Sequence, residues 1–273
     1  MNYKMIVLDL DDTLLRDDQT ISAKTKEALF SAQDMGVKVV LASGRPTFGM
    51  NDLAKELLLN EYGSYILSFN GAKIIDCHSG NEIFSSTLSP DTVHSLFEIS
   101  NREKVLIHTY IGNEIITSTA NPFTNIESDL TGMEIKLVDN FIDAVQEPVV
   151  KCLMLAASEK LAIVERKLQK ELAGELSVMR SKPFFLEFTN AGVTKATSLN
   201  LLIQKLGIKT DEVIAIGDSY NDLAMIEFAG LGVAMGNAPA DIKAKANFIT
   251  DSNMNDGVAK VVEQFVLNNK VLV

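Results

Sequence analysis

A chain of 273 residues with 47% apolar and 22% charged side chains can bury one large core or two unequal ones, and it is too hydrophobic to be a disordered polymer. Its formal charge of -11, from 36 acidic and 25 basic residues, argues against a role built on the phosphate backbone of nucleic acid. A small phosphate ester stays open, because it needs only a local donor cluster, and a divalent cation is a natural way to draw an anion onto an acidic surface.

In chain order, Met5-Ile6-Val7-Leu8 reads as a buried parallel strand and Ser22 to Met35 as a helix with Ser22 at its N-cap. Val37 to Ala42 is the next strand, Phe48 to Asn60 a helical segment, and Tyr65 to Ser68 a third strand. This βαβαβ rhythm predicts an α/β fold with an open, Rossmann-like parallel sheet, whose ligands bind beyond the carboxyl ends of the strands. Between about Glu82 and Phe188 the texture changes to alternating runs, Lys104 to Tyr110 and Lys151 to Ala157, and helical stretches, Pro90 to Asn101 and Ser158 to Leu172. The core rhythm then returns with a strand over Glu212 to Ile216, a helix over Asn221 to Phe228, a strand over Leu231 to Ala234 and a closing helix over Asp256 to Leu267. The simplest organisation is a catalytic core in two segments, 1–82 and 189–273, with an α/β domain over 83–188 inserted between them.

Cys77 and Cys152 stand alone, without paired spacing, so neither a zinc site nor a disulfide framework is expected, and a reducing, cytoplasmic setting is. Met1 to Leu8 is too short for the apolar region of a signal peptide, and Asp9 interrupts it. No apolar run reaches the roughly 20 residues that span a bilayer. Nothing marks an obligate protein partner or an oligomer interface, so monomer and homodimer are equally open.

Five short segments combine chemistry with a strand or helix end. Leu8-Asp9-Leu10-Asp11-Asp12-Thr13-Leu14 follows the first strand directly. Alternate residues of a strand share a side, so Asp9 and Asp11 converge on one ligand if the backbone stays extended. A plain Asp-Asp-Thr turn is the competing account. Ala42-Ser43-Gly44-Arg45 ends the second strand; Ser43 and the Gly44 N–H suit an oxyanion, although Ser-Gly is also a common turn and Arg45 also suits an ion pair. Asn70-Gly71 after the third strand fits a tight turn. Gly217-Asp218-Ser219-Tyr220-Asn221-Asp222 opens a helix: Asp218 suits a cap, yet its spacing of three and four from Asn221 and Asp222 keeps all three together, and hard oxygen donors suit Mg²⁺. Lys195 begins a helix against the dipole, which calls for another group to hold it.

Together these segments resemble the motifs of the haloacid dehalogenase-like superfamily, and their order around an inserted domain resembles its Cof-type subfamily of sugar-phosphate and related phosphatases. DLDDTL at 9–14, SGR at 43–45, the glycine-led lysine at 192–195 and GDSYND at 217–222 carry the likeness, with support from 69–72, 232–238 and 256–259. The resemblance implies Asp9 as nucleophile forming an aspartyl-phosphate and Asp11 as general acid and base. It implies that Leu10, Ser43 and Gly44 hold the phosphoryl oxygens, that Lys195 binds there as a catalytic cation neutralising the nucleophile and the developing charge, and that Asn221 contacts phosphate or positions its neighbours, with Arg45 and Asn70 as further substrate contacts. It assigns Mg²⁺ to Asp9, Asp218 and the Asp11 carbonyl, with Asp222 orienting Lys195 rather than binding metal. Ser43 stands where threonine is common, which keeps the hydroxyl but loses β-branching. The implied activity is hydrolysis of a small phosphorylated metabolite, with a sugar phosphate leading, pyridoxal phosphate and flavin mononucleotide open, and the inserted domain choosing the leaving group. A phosphomutase or phosphotransferase with the same intermediate is the nearest rival, and a non-catalytic phosphosugar-binding module a more distant one. Neutralising Lys195 is expected to slow chemistry more than it weakens the fold.

Overall fold

The computed structural model describes residues 3–268. Tertiary contacts divide them into two compact units, one reaching Phe84 and resuming at Thr194, the other Ser85–Val193.

In the first unit the four residues of β1 (Met5–Leu8) are wholly buried, and their alternation explains the layers. Ile6 and Leu8 join one apolar cluster with Leu29 and Ala32 of α1 (Ala23–Asp34) and Val258 and Val261 of α10 (Gly257–Val262). Met5 and Val7 join a second cluster with Leu199, Leu202 and Ile203 of α7 (Lys195–Leu206) and Met225 of α8 (Leu223–Phe228). Helices therefore cover both faces, as a strand with no polar side requires. β1 pairs in parallel with β2 (Lys38–Ala42) and β12 (Val213–Gly217), and β2 pairs in parallel with β3 (Tyr65–Ser68). The sheet continues through β13 (Leu231–Ala234) to β14 (Phe248–Ile249) on one side, and through β4 (Lys73–Asp76) to β5 (Glu82–Ser85) on the other. β3 and β4 are antiparallel.

Local chemistry sets several element ends. Ser22 caps α1, accepting from the Thr25 N–H at 3.1 Å. The helix expected over Phe48 to Asn60 is shorter: a tight turn at Phe48–Met50 leads into α2 (Asn51–Glu56). Leu58 takes a left-handed φ of 54°, and the Leu59 N–H returns to the Ala54 carbonyl at 2.9 Å, which closes the helix end.

The second unit is built on a six-stranded sheet in the order β10 (Leu176–Lys182), β11 (Phe185–Asn190), β9 (Cys152–Leu155), β6 (Leu106–Ile111), β7 (Glu114–Thr117), β8 (Glu134–Leu137). All neighbours are antiparallel except β7 and β8. Helices α3 (Pro90–Glu103) and α6 (Ser158–Glu171) bury Val93, Leu96, Leu161, Val164 and Leu168 in one apolar cluster with Ile107, Cys152, Met154, Leu186 and Phe188. The alternate residues of the sheet carry a polar group: His108 and Tyr110 from β6 meet α4 (Pro122–Thr131) through His108 Nδ1 to Thr124 Oγ1 at 3.0 Å and Tyr110 Oη to Glu127 Oε1 at 2.5 Å.

Burial, and then the nearby Lys151 cation, push the His108 imidazole down from 6.5 to about 3. The unfolded chain therefore takes up a proton below pH 6.5 that the folded unit refuses until about pH 3. The stabilisation from neutral His108 is complete above pH 6.5 and is lost as pH falls toward 3. By pH 5 the loss is about 2 kcal/mol. Thermal unfolding of wild type and His108→Phe at pH 7 and pH 5 checks this: the variant is expected to lose less stability on acidification.

Candidate active site

The carboxyl ends of the central strands supply the site, as the doubly wound topology dictates. Asp9 follows β1, Ser43 follows β2, Asn70 lies just past β3, and Asp218 follows β12. After Asp9 the chain makes a wide turn in which the Leu14 N–H bonds to the Asp9 carbonyl at 3.3 Å and the Leu15 N–H to the Leu10 carbonyl at 2.8 Å. Asp11 remains extended, and Asp12 adopts a left-handed φ of 60°. The turn buries Leu10, Thr13 and Leu14 while Asp11 and Asp12 stay exposed.

Lys195 answers the question that its place at a helix start poses. Thr194 caps α7 in a reciprocal capping box with Thr197. The Lys195 ammonium, fully buried, donates to Asp9 Oδ1 at 2.5 Å and to Asp222 Oδ1 at 2.6 Å. Two carboxylates in a dry site outweigh the dipole at the helix end. Burial alone would lower the Lys195 pKa, but Asp222 and Asp9 raise it above its ordinary value, so the side chain stays charged. The other Asp222 oxygen accepts the N–H groups of Asp218 and Ser219 at 3.1 and 3.0 Å. Both oxygens of Asp222 are thus engaged, one by lysine and the other by backbone.

Asp9, Asp218 and Asp222 present oxygens within 4.8 Å of one another, three carboxyl groups around one lysine. Burial first, and then Asp222, push Asp9 well above the carboxylate range, with Lys195 opposing. Burial raises Asp218 to about 6 against the stabilising hydrogen bond from Thr13 Oγ1 at 2.8 Å. This surplus of buried, all-oxygen acidity fits a hard divalent cation such as Mg²⁺.

The remaining residues assemble around this centre. The Arg45 N–H donates to Ser43 Oγ at 3.1 Å, and the Asn70 N–H to the Ser43 carbonyl at 2.9 Å. Asn70 holds a left-handed φ of 56° and accepts from the Asn221 amide at 3.1 Å, so these two asparagines position one another. A Cβ on Gly44 would come within 3.2 Å of the Asn70 amide. The Arg45 guanidinium grips Asp11, Nε to Oδ2 at 3.0 Å and Nη2 to Oδ1 at 2.5 Å, and also reaches Gln19 Oε1. Asp11 therefore aims its carboxylate at Arg45, apart from the Asp9, Asp218 and Asp222 cluster.

Sequence reasoning missed the braces of this site. Thr13 was legible only as a turn residue. Asn237 donates to the Asp12 carbonyl at 2.8 Å and accepts from the Asn253 N–H, while Asn253 donates to the Leu15 carbonyl at 3.0 Å. The family-like stretch 232–238 contained Asn237 but gave no hint of what it touches.

Gly217 shows how tight the packing is. A Cβ there would lie 2.5 Å from the Asp222 Cβ and 2.6 Å from its Cγ. Gly217→Ala is expected to displace Asp222 and slacken Lys195, lowering kcat on the order of tenfold or more and stability by about 1–3 kcal/mol. Phosphate-release kinetics and thermal unfolding, run together, measure both.

The parallel strands of the first unit thus gather an aspartate, a buried lysine and an acidic cluster that could hold a metal ion at their carboxyl ends. The family model for haloacid dehalogenase-like hydrolases matches residues 6–262. The chain belongs to that family and is an enzyme of its phosphatase type. A haloacid dehalogenase-like hydrolase from Bacteroides thetaiotaomicron is 44% identical and superposes with a TM-score of 0.91 over 96% of this chain and 99% of that one. The subclass IIB sugar phosphatase BT4131 is 26% identical with a TM-score of 0.82, over 96% and 98%. The 5-amino-6-(5-phospho-D-ribitylamino)uracil phosphatase YcsE of Bacillus subtilis is 32% identical over 98% of this chain and 97% of its own length. Among the described residues, no helix is long and apolar enough to cross a membrane.

Proposed function

We propose that this enzyme is a Cof-type, magnesium-dependent phosphomonoesterase acting on a small phosphorylated metabolite, a sugar phosphate before other esters, through an aspartyl-phosphate on Asp9. The observation that carries the reading is the buried triad in which Lys195 bridges Asp9 and Asp222 at 2.5 and 2.6 Å. An aspartate so held approaches a phosphate dianion in one orientation, with a fixed cation beside it.

Asp9 bonds to phosphorus as the ester P–O bond breaks, and Asp11 gives its proton to the departing alkoxide. Water then attacks phosphorus, Asp11 takes its proton, and Asp9 is released. Both Asp11 oxygens are engaged by Arg45 in this structure, so Asp11 has to release at least one to meet a leaving group. Ser43, the N–H groups of Leu10 and Gly44, and Asn221 are assigned to the phosphoryl oxygens, with Asn70 fixing Asn221. Asp9, Asp218 and the Asp11 carbonyl would hold Mg²⁺, which when bound supplies charge neutralisation between carboxylate and dianion. Arg45 acts through Asp11 in this scheme, and a direct contact with substrate would need it to let go. The inserted unit selects the leaving group, and two free cysteines, Cys77 and Cys152, are in keeping with a reducing cytoplasm.

Steady-state phosphate release over a panel of sugar phosphates, pyridoxal phosphate, flavin mononucleotide and nucleotides, with Mg²⁺ or EDTA, tests this. Turnover that requires Mg²⁺ and favours sugar phosphates is expected. Transfer of phosphate to a second sugar instead of water would move the assignment to a phosphotransferase, and metal-independent turnover would overturn it.

A further inference from the structure

The turn after β3 is longer and more strained than a hairpin requires. β3 and β4 are antiparallel, with Ser68 opposite Lys73, and a tight primed turn suffices to join such strands. Here residues 69–72 intervene, and successive residues are left-handed: Phe69 at a φ of 53°, Asn70 at 56° and Gly71 at 94°. Glycine and asparagine tolerate that backbone, but a bulky aromatic such as Phe69 adopts it only when its surroundings force it.

Contacts on both sides of the turn show what forces it. On one side the Phe69 N–H donates to the Arg45 carbonyl and the Asn70 N–H to the Ser43 carbonyl, both at 2.9 Å. The Asn70 amide lies beside Gly44 and accepts from Asn221. On the other side the buried Ser198 hydroxyl donates to the Gly71 carbonyl at 2.5 Å. The fit against α7 leaves no space: a Cβ on Gly71 would come 2.6 Å from the Thr194 carbonyl oxygen and 2.7 Å from Ser198 Oγ. Thr194 and Ser198 bracket Lys195 in the first turn of α7, where the Ser198 N–H bonds to the Thr194 carbonyl at 3.2 Å. One short turn therefore touches both the loop assigned to the phosphoryl oxygens and the helix turn that aims the Lys195 ammonium at Asp9.

We infer that the strained turn 69–71 is a spacer that sets the phosphate loop 43–45 and Lys195 at one fixed separation, with Gly71 and Ser198 as positioning residues for the catalytic cation. Chemistry depends on that separation, because a misplacement of about 1 Å between a catalytic group and its target costs on the order of 100-fold in rate. This rests on the phosphatase reading above and adds Gly71 and Ser198, which lie outside the buried triad.

Steady-state kinetics with Mg²⁺ and the panel ester that wild type hydrolyses fastest compare wild type, Ser198→Ala, Asn70→Gly and the double variant. Glycine keeps the left-handed backbone at position 70 and removes the amide. Each single variant is expected to lose kcat/KM on the order of tenfold. The Ser198→Ala loss is expected in kcat, with KM changed by less than about twofold, because Lys195 counters charge as it develops while loop 43–45 holds the ground state. Since one spacer serves both ends, the double variant is expected to lose little more than the worse single variant, rather than the ~100-fold of independent effects. Thermal unfolding of the same proteins, with assays run well below every melting temperature, separates folding from turnover. Wild-type kcat in Ser198→Ala marks the contact as structural and overturns the inference, as do losses that multiply in the double variant. Absence of turnover in wild type with every panel ester removes the phosphatase reading and this inference with it, whereas wild-type turnover with either of those results removes this inference alone.

Discussion

Replacing Asp9 by asparagine is expected to lower kcat by at least ~10³-fold while leaving a folded protein. The amide keeps the size of the side chain but is a poor nucleophile toward phosphorus. Folding should survive because Lys195 retains its 2.6 Å contact with Asp222. Burial and Asp222 already disfavour a charge at Asp9, so neutralising it removes a repulsion along with an attraction, and the melting temperature is expected to hold or rise. Single-turnover phosphate release and thermal unfolding of the same preparation decide the matter. A folded variant that kept about a tenth of wild-type turnover would remove Asp9 from the nucleophile's role.

Lys195→Met is expected to be the more damaging change to the molecule. The sequence alone suggested that neutralising this lysine would slow chemistry more than it weakened the fold. The structure revises that, because the ammonium is fully buried between two carboxylates and its loss leaves both without a counter-charge. Breaking such a pair costs about 3–5 kcal/mol, on top of a loss of turnover of ~10²-fold or more from the missing cation. Lys195→Met combined with Asp222→Asn separates the two effects: stability is expected to recover in part as one stranded charge is removed, and turnover is not. Recovery of turnover in the double variant would mean that Lys195 serves the fold and not the reaction. Denaturant unfolding and phosphate release on all three variants give the comparison.

The legibility of this protein followed the range of the interactions involved. The α/β character of the first unit could be read because β1 is apolar at every position, and that pattern demands cover on both faces. Ser22 could be read as a cap because a cap is settled within four residues. Asp9, Asp218 and Lys195 were legible as members of motifs at element ends. Their contact was not, since Lys195 is 186 residues from Asp9 in sequence. The helix expected from Phe48 failed at its far end because a left-handed Leu58, a residue with no preference for that conformation, ends it.

The same division holds for the site as a whole. By itself the sequence determined which polar residues stand at strand and helix ends as candidates for chemistry, because residue type and hydrophobic period are local properties of the chain. Only the tertiary structure decided partnership: that Arg45 grips Asp11, that Asn70 positions Asn221, that Thr13 braces Asp218, and that Lys195 is shared by Asp9 and Asp222. The physical reason is that hydrogen bonds and ion pairs act over about 3 Å, and side chains far apart in the chain come that close only after the sheet has set the order of its strands.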